Sequence, residues 1–293
     1  MSDLSYFQSV TIGALQGVTE LFPVSSLGHS ILVPAWIGGS WKDLVTQQQQ
    51  SGHTPFLAFI VALHVATALA LIVCFWRDWL RVVQGLIDIV RRRDLHTARS
   101  RYALLLIVAT IPVGIVGLLF EKPLRTAFST PLVAAIFLTV NGGVLAVAEL
   151  LTRASEASYR RHATSERSLS TMPWSDALII GSSQILALMP GISRSGVTIS
   201  AGLLRGFSHE KATKFALMLA TPVILAAGVL KMPELAGPEA SGIHGQVIVG
   251  MLVAFVAALF ATKVLTRFVR THTLWPFVVY CLIAGIASII RFA

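Results

Sequence analysis

The sequence predicts an all-α polytopic membrane protein with an inverted-topology repeat, each half a re-entrant helix pair plus three transmembrane helices. Hydrophobic residues form 55% of the 293 positions and charged residues only 13%, where a soluble domain carries about 25% charge. Apolar runs of about 20 residues, the length needed to cross a bilayer core, recur along the chain. A polar stretch near residue 20, out of place in so apolar a chain, has an echo near residue 190. These observations favour a single integral membrane domain over 1–293. Its first half covers about 1–152, a basic linker about 153–172, and the second half about 173–293.

Residues 7–24 are apolar but interrupted by Gly13, Gly17, Glu20 and Pro23, and a second short apolar piece runs over 31–37. Neither spans a bilayer comfortably, so the pair is expected to enter and leave on one side. Such backbone is tolerated at depth only where protein or a wet cavity satisfies it. Residues 38–54, with Gly38, Gly39, Lys42, Asp43 and the run Gln47 to Gln50, read as a polar surface loop. Spans are expected over 56–76, over 102–120 with a kink at Pro112, and over 131–151, where Asn141-Gly142-Gly143 allows close helix approach. Residues 77–101, which carry Arg91-Arg92-Arg93, read as a loop. After the linker the pattern restarts with an interrupted piece over 174–189, a loop over 190–198 and a short return over 199–204. Spans follow at about 212–230, 246–266 and 274–290. Three crossings per half is an odd number, so the second half inserts upside down relative to the first.

The net charge of +9 would draw a soluble domain to nucleic acid, but here the basic residues flank the spans and report orientation instead. Nucleic-acid binding is therefore discounted. Seventeen Lys and Arg fall within 77–101, 153–167, 205–214 and 263–270, against only Lys42, Lys122, Arg125, Lys231 and Arg291 on the other side. The positive-inside rule makes the first set cytoplasmic. The N-terminus, its re-entrant pair and the C-terminus then face outward, while the loop at Arg194 enters from the cytoplasm. No basic region precedes the first apolar segment, so no cleavable signal is expected. Cys74 and Cys281 lie in apolar runs and read as small hydrophobes, which argues against a disulfide framework or a cysteine metal site.

Glu20 is the residue that packing explains least, because a lone carboxylate in an apolar segment costs several kcal/mol unless it is paired, protonated or wet. Gln16 lies one helical turn earlier and shares its face, placed to orient the carboxylate or a bound cation. Arg194, between Ser193 and Ser195, offers a planar fork suited to phosphate oxygens. Gly191 and Gly196 permit a tight backbone that turns amides toward an anion ahead of a helix N-terminus. Ser25, Ser26 and His29 add two hydroxyls and an imidazole in one short loop, although Ser25 reads equally well as a helix cap. Thr198 reads as a supporting or capping hydroxyl. The set suits phosphoryl transfer, with Arg194 and backbone amides stabilising charge, Ser26 or a water attacking, and Glu20 or His29 moving the proton. His64, in mid-span, reads as a hydrogen-bonded packing residue and is left outside the site.

Gln16-x-x-x-Glu20 with Pro23-Val24-Ser25-Ser26-x-Gly28-His29, followed by Pro190-Gly191-Ile192-Ser193-Arg194-Ser195-Gly196-x-Thr198, resembles the signature motifs of the BacA-type undecaprenyl-diphosphate phosphatases. The likeness runs in order along essentially the whole chain. It implies a bacterial inner-membrane enzyme that removes the terminal phosphate of undecaprenyl diphosphate, recycling a lipid carrier for the cell wall, with a link to bacitracin resistance. It also implies ten helices including re-entrant ones, a divalent cation (Mg2+ or Ca2+) and homodimers, while the charge count places the opening of the site toward the outer, periplasmic face. By position, Glu20 matches the essential acid, Ser26 and His29 the first-loop pair, and Arg194 the phosphate-binding arginine. Gln16, Ser25, Ser193, Ser195 and Thr198 are then expected to bind substrate. Gln16 stands where the family has Glu or Gln, which weakens a two-carboxylate metal site and leaves Glu20, with Gln16 beside it, as the cation ligand. Leu27 stands where Thr is common. The partners implied are a polyprenyl diphosphate and membrane lipids. The competing reading is a polyprenyl-phosphate flippase with a midplane phosphate site, which inverted repeats favour by analogy alone.

Overall fold

The computed structural model describes residues 4–42, 44, 55–128, 130–159, 168–236 and 242–293. Most of the expected polar loop over 38–54, and residues 160–167 of the basic linker, lie outside the described residues. Every regular element among the described residues is helical: α1 (Tyr6–Thr19), α2 (Ser26–Ile37), α3 (Pro55–Cys74), α4 (Trp76–Ile87, extended by a π turn over Asp88–Arg92) and α5 (Ala98–Phe128). There follow α6 (Pro131–Tyr159), α7 (Trp174–Ser183, running into a 3-10 turn over Gln184–Leu188), α8 (Arg194–Leu204), α9 (His209–Ala236), α10 (His244–Phe268) and α11 (Trp275–Phe292).

Among the described residues, five segments are long and apolar enough to cross a membrane: Ala98–Phe120, Pro131–Ala154, His209–Leu230, His244–Phe268 and Trp275–Phe292. Ala58–Cys74 of α3 qualifies together with α4, from which it is bent by 88°. The surface is that of a protein in lipid. Leu118, Val229, Phe260 and Ile290 point outward, whereas Thr67, Asn141 and Glu149 are fully buried. Lipid tails are as apolar as leucine, so helices here associate through close backbone approach and internal hydrogen bonds rather than by hiding apolar surface. The chain is a multi-pass membrane protein.

Small residues set the packing. Gly13 and Gly17 repeat at four-residue spacing on α1 and meet Gly250 and Ala254 on α10, backbone to backbone. A Cβ added at Gly13 would lie 2.6 Å from the Gly250 carbonyl oxygen, and one at Gly17 would lie 2.6 Å from Ala257 Cβ. On the other side of the bundle Gly181 of α7 is pressed against Ala109 of α5 in the same way. The helices therefore pair as α1 on α10 and α7 on α5, with α3 against α9 and α6 against α11. Leu71, Leu105, Leu138 and Phe215 centre the larger apolar core, and Ile12, Phe59 and Leu63 a smaller one.

Residues 77–101, expected as a loop, instead contain α4. Val82, Gly85 and Asp88 recur every three residues on its buried face, a helical period that the many charges around it conceal in the sequence. α2 already begins at Ser26, ahead of the expected apolar piece, and α6 continues past its expected end through Tyr159.

Candidate active site

Two interhelical turns meet at the centre of the bundle. The first follows α1, whose last turn leaves the amide of Glu20 bonded to the Gln16 carbonyl at 3.0 Å. The chain then reverses through Phe22 to Val24 and enters α2 at Ser25. Ser25 has φ 69°, a left-handed conformation that costs a non-glycine residue free energy and that commonly marks functional turns. Its hydroxyl compensates by accepting the Gly28 amide at 3.2 Å as an N-cap. The second turn ends at Ser193, which caps α8 by accepting the Gly196 amide at 3.1 Å. Gly191, at φ 105°, lets this turn press on α6, where a Cβ would stand 2.7 Å from the Leu138 amide.

Asn141 of α6 joins the two turns. Its amide nitrogen donates to the Pro23 carbonyl at 3.0 Å and its oxygen accepts the Ser193 amide at 2.9 Å. Ser195 adds a second stitch, its hydroxyl donating to the Phe22 carbonyl at 3.1 Å. Gly28 and Gly191 complete the contact, since a Cβ on Gly28 would sit 2.9 Å from Gly191 Cα. Both Asn141 links are buried, where an unmade hydrogen bond costs about 1–3 kcal/mol, so the turns are held as one unit.

Four side chains converge on the Glu20 carboxylate. Arg194 donates to Oε1 and Ser26 to Oε2. Gln16 donates to Oε2 at 3.1 Å. His64 on α3 brings its Nε2 to 3.3 Å from Oε2, with the ring fixed from behind by an Nδ1 hydrogen bond to the Ile60 carbonyl at 2.8 Å. The cluster lies at the wall of a cavity of about 370 Å³ that Glu20, Ser25, Ser26, His64, Ser193 and Arg194 line on one side. The opposite walls are apolar, formed by Val113, Gly117 and Leu118 of α5 and Val223, Gly228 and Leu230 of α9.

Of the residues expected from sequence, the structure brings Glu20, Ser25, Ser26, Ser193 and Arg194 to this cavity, and Gln16 to Glu20 behind it. Thr198 bonds the Arg194 carbonyl at 2.6 Å and acts within α8, and Ser195 is spent on the stitch to Phe22. His29, expected among the catalytic residues, is not brought to the cavity. Its Nδ1 lies 2.7 Å from the Ser25 carbonyl, its Nε2 2.6 Å from the Tyr280 hydroxyl, and its ring stacks on Tyr280. One turn into α2, it faces Tyr280 of α11. The imidazole at the carboxylate is that of His64 instead, whose mid-span place in the sequence pointed only to packing. Asn141 and Gln184 are further site residues that the sequence did not reveal. Gln184 is the echo of Gln16; it lines the cavity, and its buried Oε1 has no hydrogen-bond partner among the described residues. The repeated order of the two motifs was the signal that could have found it.

Among the described residues no group of three His, Cys, Asp or Glu is placed to hold a metal ion. The cavity offers oxygen donors in the Glu20 carboxylate, the Gln184 amide and the Ser25, Ser26 and Ser193 hydroxyls, a hard set that suits Mg2+ or Ca2+ only where phosphate oxygens complete the shell.

Residues 9–287 match the family described as bacitracin resistance protein BacA. Curated relatives share the full length of the chain. Undecaprenyl-diphosphatase of Mycobacterium avium is 50% identical over 100% of this chain and 99% of its own. Undecaprenyl-diphosphatase of Mycolicibacterium paratuberculosis is 50% identical over 99% and 98%. Undecaprenyl-diphosphatase 2 of Frankia alni is 47% identical over 100% and 99%. A match over nearly every residue, with both motif turns inside it, means that the chain belongs to the BacA family.

Proposed function

We propose that the chain dephosphorylates undecaprenyl diphosphate to undecaprenyl phosphate, as the names of its relatives indicate for them. The observation that carries this reading is the Arg194–Glu20–Ser26 cluster at one wall of a cavity whose other walls are apolar. A diphosphate with a prenyl tail has the same division. Its anionic end matches the guanidinium fork, and its hydrocarbon matches the channel between α5 and α9.

In the chemistry we assign, incoming phosphate oxygens take the Arg194 guanidinium from Glu20 and free the carboxylate to act as base. Ser26 Oγ attacks the terminal phosphorus as its proton passes to Glu20. The bond from that phosphorus to the bridging oxygen breaks, and undecaprenyl phosphate leaves with the electron pair and takes the proton from Glu20. Water then attacks the phosphoserine and gives a proton to Glu20. The Ser26 oxygen leaves, recovers that proton, and inorganic phosphate is released. Arg194 and the amides at the start of α8 hold the non-bridging oxygens throughout, where charge accumulates in the transition state. His64 and Gln16 fix the carboxylate on the Ser26 side. Mg2+ or Ca2+ arriving with the diphosphate would be held by Glu20 with the amide oxygen of Gln184, and it would neutralise phosphate charge.

The inverted repeat belongs to the same reading. It is supported by the parallel roles of α1 on α10 and α7 on α5, and by the matching serine caps of α2 and α8. With the basic segments cytoplasmic, the cavity walls at Leu118 and Leu230 fall at the outer ends of their helices, so we place the opening on the periplasmic side of the bacterial inner membrane. Glu20, Ser26 and Arg194 come from one chain, and the homodimer implied by the family would carry two whole sites. The flippase reading draws no support from the relatives. Phosphate release from a polyprenyl diphosphate in detergent, where transport is impossible, tests the proposal. Release that disappears in Glu20→Gln and Arg194→Ala supports it, and a folded wild-type chain that releases none overturns it.

A further inference from the structure

α4 turns 88° from α3, so if α3 crosses the bilayer then α4 runs close to the plane of its surface. The helix is held firmly on its inner face. Val82, Gly85 and Asp88 are buried, and a Cβ on Gly85 would meet the Arg99 carbonyl carbon at 2.7 Å. Asp88 pairs with Arg99 at 2.5 Å and Asp78 with Lys214 at 2.9 Å. These contacts tie one end of α4 to the first turn of α5 and the other to the second turn of α9.

The outer face is of a different kind. Trp76, Leu80, Val83, Ile87 and Val90 follow one another at spacings of four and three, which places them in one stripe along the helix. They are between 45% and 79% exposed. Arg77, Arg81, Arg91 and Arg92 flank the stripe and are also exposed, and Arg93 closes the helix in a left-handed conformation at φ 52°. Water does not suit five large apolar side chains in a row, and the hydrocarbon interior does not suit a helix with this density of guanidinium groups. The boundary between them suits both.

We propose that α4 is an interfacial anchor, with its apolar stripe set among the acyl chain ends and its arginines bound to anionic phospholipid headgroups of the leaflet that the basic segments face. The charge decides the partner, since a surface bearing phosphate and no compensating amine attracts each nearby arginine. The inference stands apart from the chemistry at Glu20.

Spin labels on the full-length chain in nanodiscs test it, in a Cys74→Ser background, Cys281 being fully buried. Labels at positions 83 and 87 should be reached by oxygen at shallow depth, and a label at position 84 by an aqueous nickel chelate. Discs of phosphatidylcholine mixed with phosphatidylglycerol should show phosphatidylglycerol enriched around the protein. Arg81→Gln, Arg91→Gln and Arg92→Gln together should lower that enrichment roughly fivefold per arginine, with the gel-filtration profile unchanged. Four outcomes overturn the proposal. They are water access at 83 and 87, deep burial of all three labels as in a re-entrant segment, spin–spin broadening that reports a second copy on the stripe, and an enrichment that ignores the arginines.

Discussion

Ser26 and Arg194 hold equivalent places in the two motif turns, and each reaches a different oxygen of Glu20. Each is the first residue of a short helix, and each follows a serine that caps that helix. One motif turn thus supplies a hydroxyl and the other a guanidinium to a single carboxylate. Leu188 stands near the place in the second motif that Glu20 holds in the first, so of the two motifs only the first carries a carboxylate there.

The geometry predicts that Arg194→Lys is not a mild change. A lysine keeps the charge but lacks the planar fork that bridges carboxylate and phosphate. Steady-state phosphate release should fall by about 10²–10³-fold, mostly in kcat, while the melting temperature stays within a few degrees of wild type.

Asn141→Leu should damage both stability and activity. Leucine is of similar size but leaves the Pro23 carbonyl and the Ser193 amide without their partner, each at about 1–3 kcal/mol. Thermal unfolding in detergent should show the loss, and kcat should drop because the two turns are no longer held in register.

The two histidines should separate cleanly. His64→Ala removes a group 3.3 Å from the Glu20 carboxylate without opening the core, so kcat should fall by about a hundredfold with little change in melting temperature. His29→Ala removes a buried ring stacked on Tyr280, so any loss of activity should come with a lower melting temperature. Measuring both quantities on both variants checks the assignment. Equal stability losses with activity lost only in His29→Ala would restore His29 to the site.

These contrasts mark how far the sequence could be read. Hydropathy showed the spans because a bilayer imposes length and composition directly. Glu20 and Arg194 were legible because an ionisable group in an apolar run costs too much to be kept for packing alone, and Gln16 because it shares the helix face of Glu20. His64 was not, since a histidine in mid-span becomes functional only when the carboxylate packed against it is known. The rotation of α2 that sends His29 toward Tyr280 depends on the Gly28–Gly191 contact and on α11, neither of which local pattern records. Asn141 stands out in sequence for the close approach that its neighbouring glycines allow, whereas its amide group is what joins the turns. α4 was hidden by its own charges, which resemble those of a cytoplasmic loop.

Gly17→Leu should prevent α1 from reaching α10, because the backbone of Ala258 already lies 2.9 Å from where a Cβ would begin. Overpacking of this kind costs about 1–3 kcal/mol or more. The expected outcome is poor yield of folded protein by gel filtration, whereas Gly143→Leu, with open space around its Cβ, should purify normally.

The central claim is that Ser26 attacks phosphorus while Glu20 takes its proton, and trapping the intermediate tests it most directly. Acid quenching of a single turnover with a polyprenyl diphosphate labelled in its terminal phosphate should leave label on the protein, mapped to Ser26 by peptide sequencing and absent from Ser26→Ala and Glu20→Gln. Turnover by Ser26→Ala near the wild-type rate, with oxygen from labelled water entering the released phosphate and no labelled protein at any time point, would contradict it.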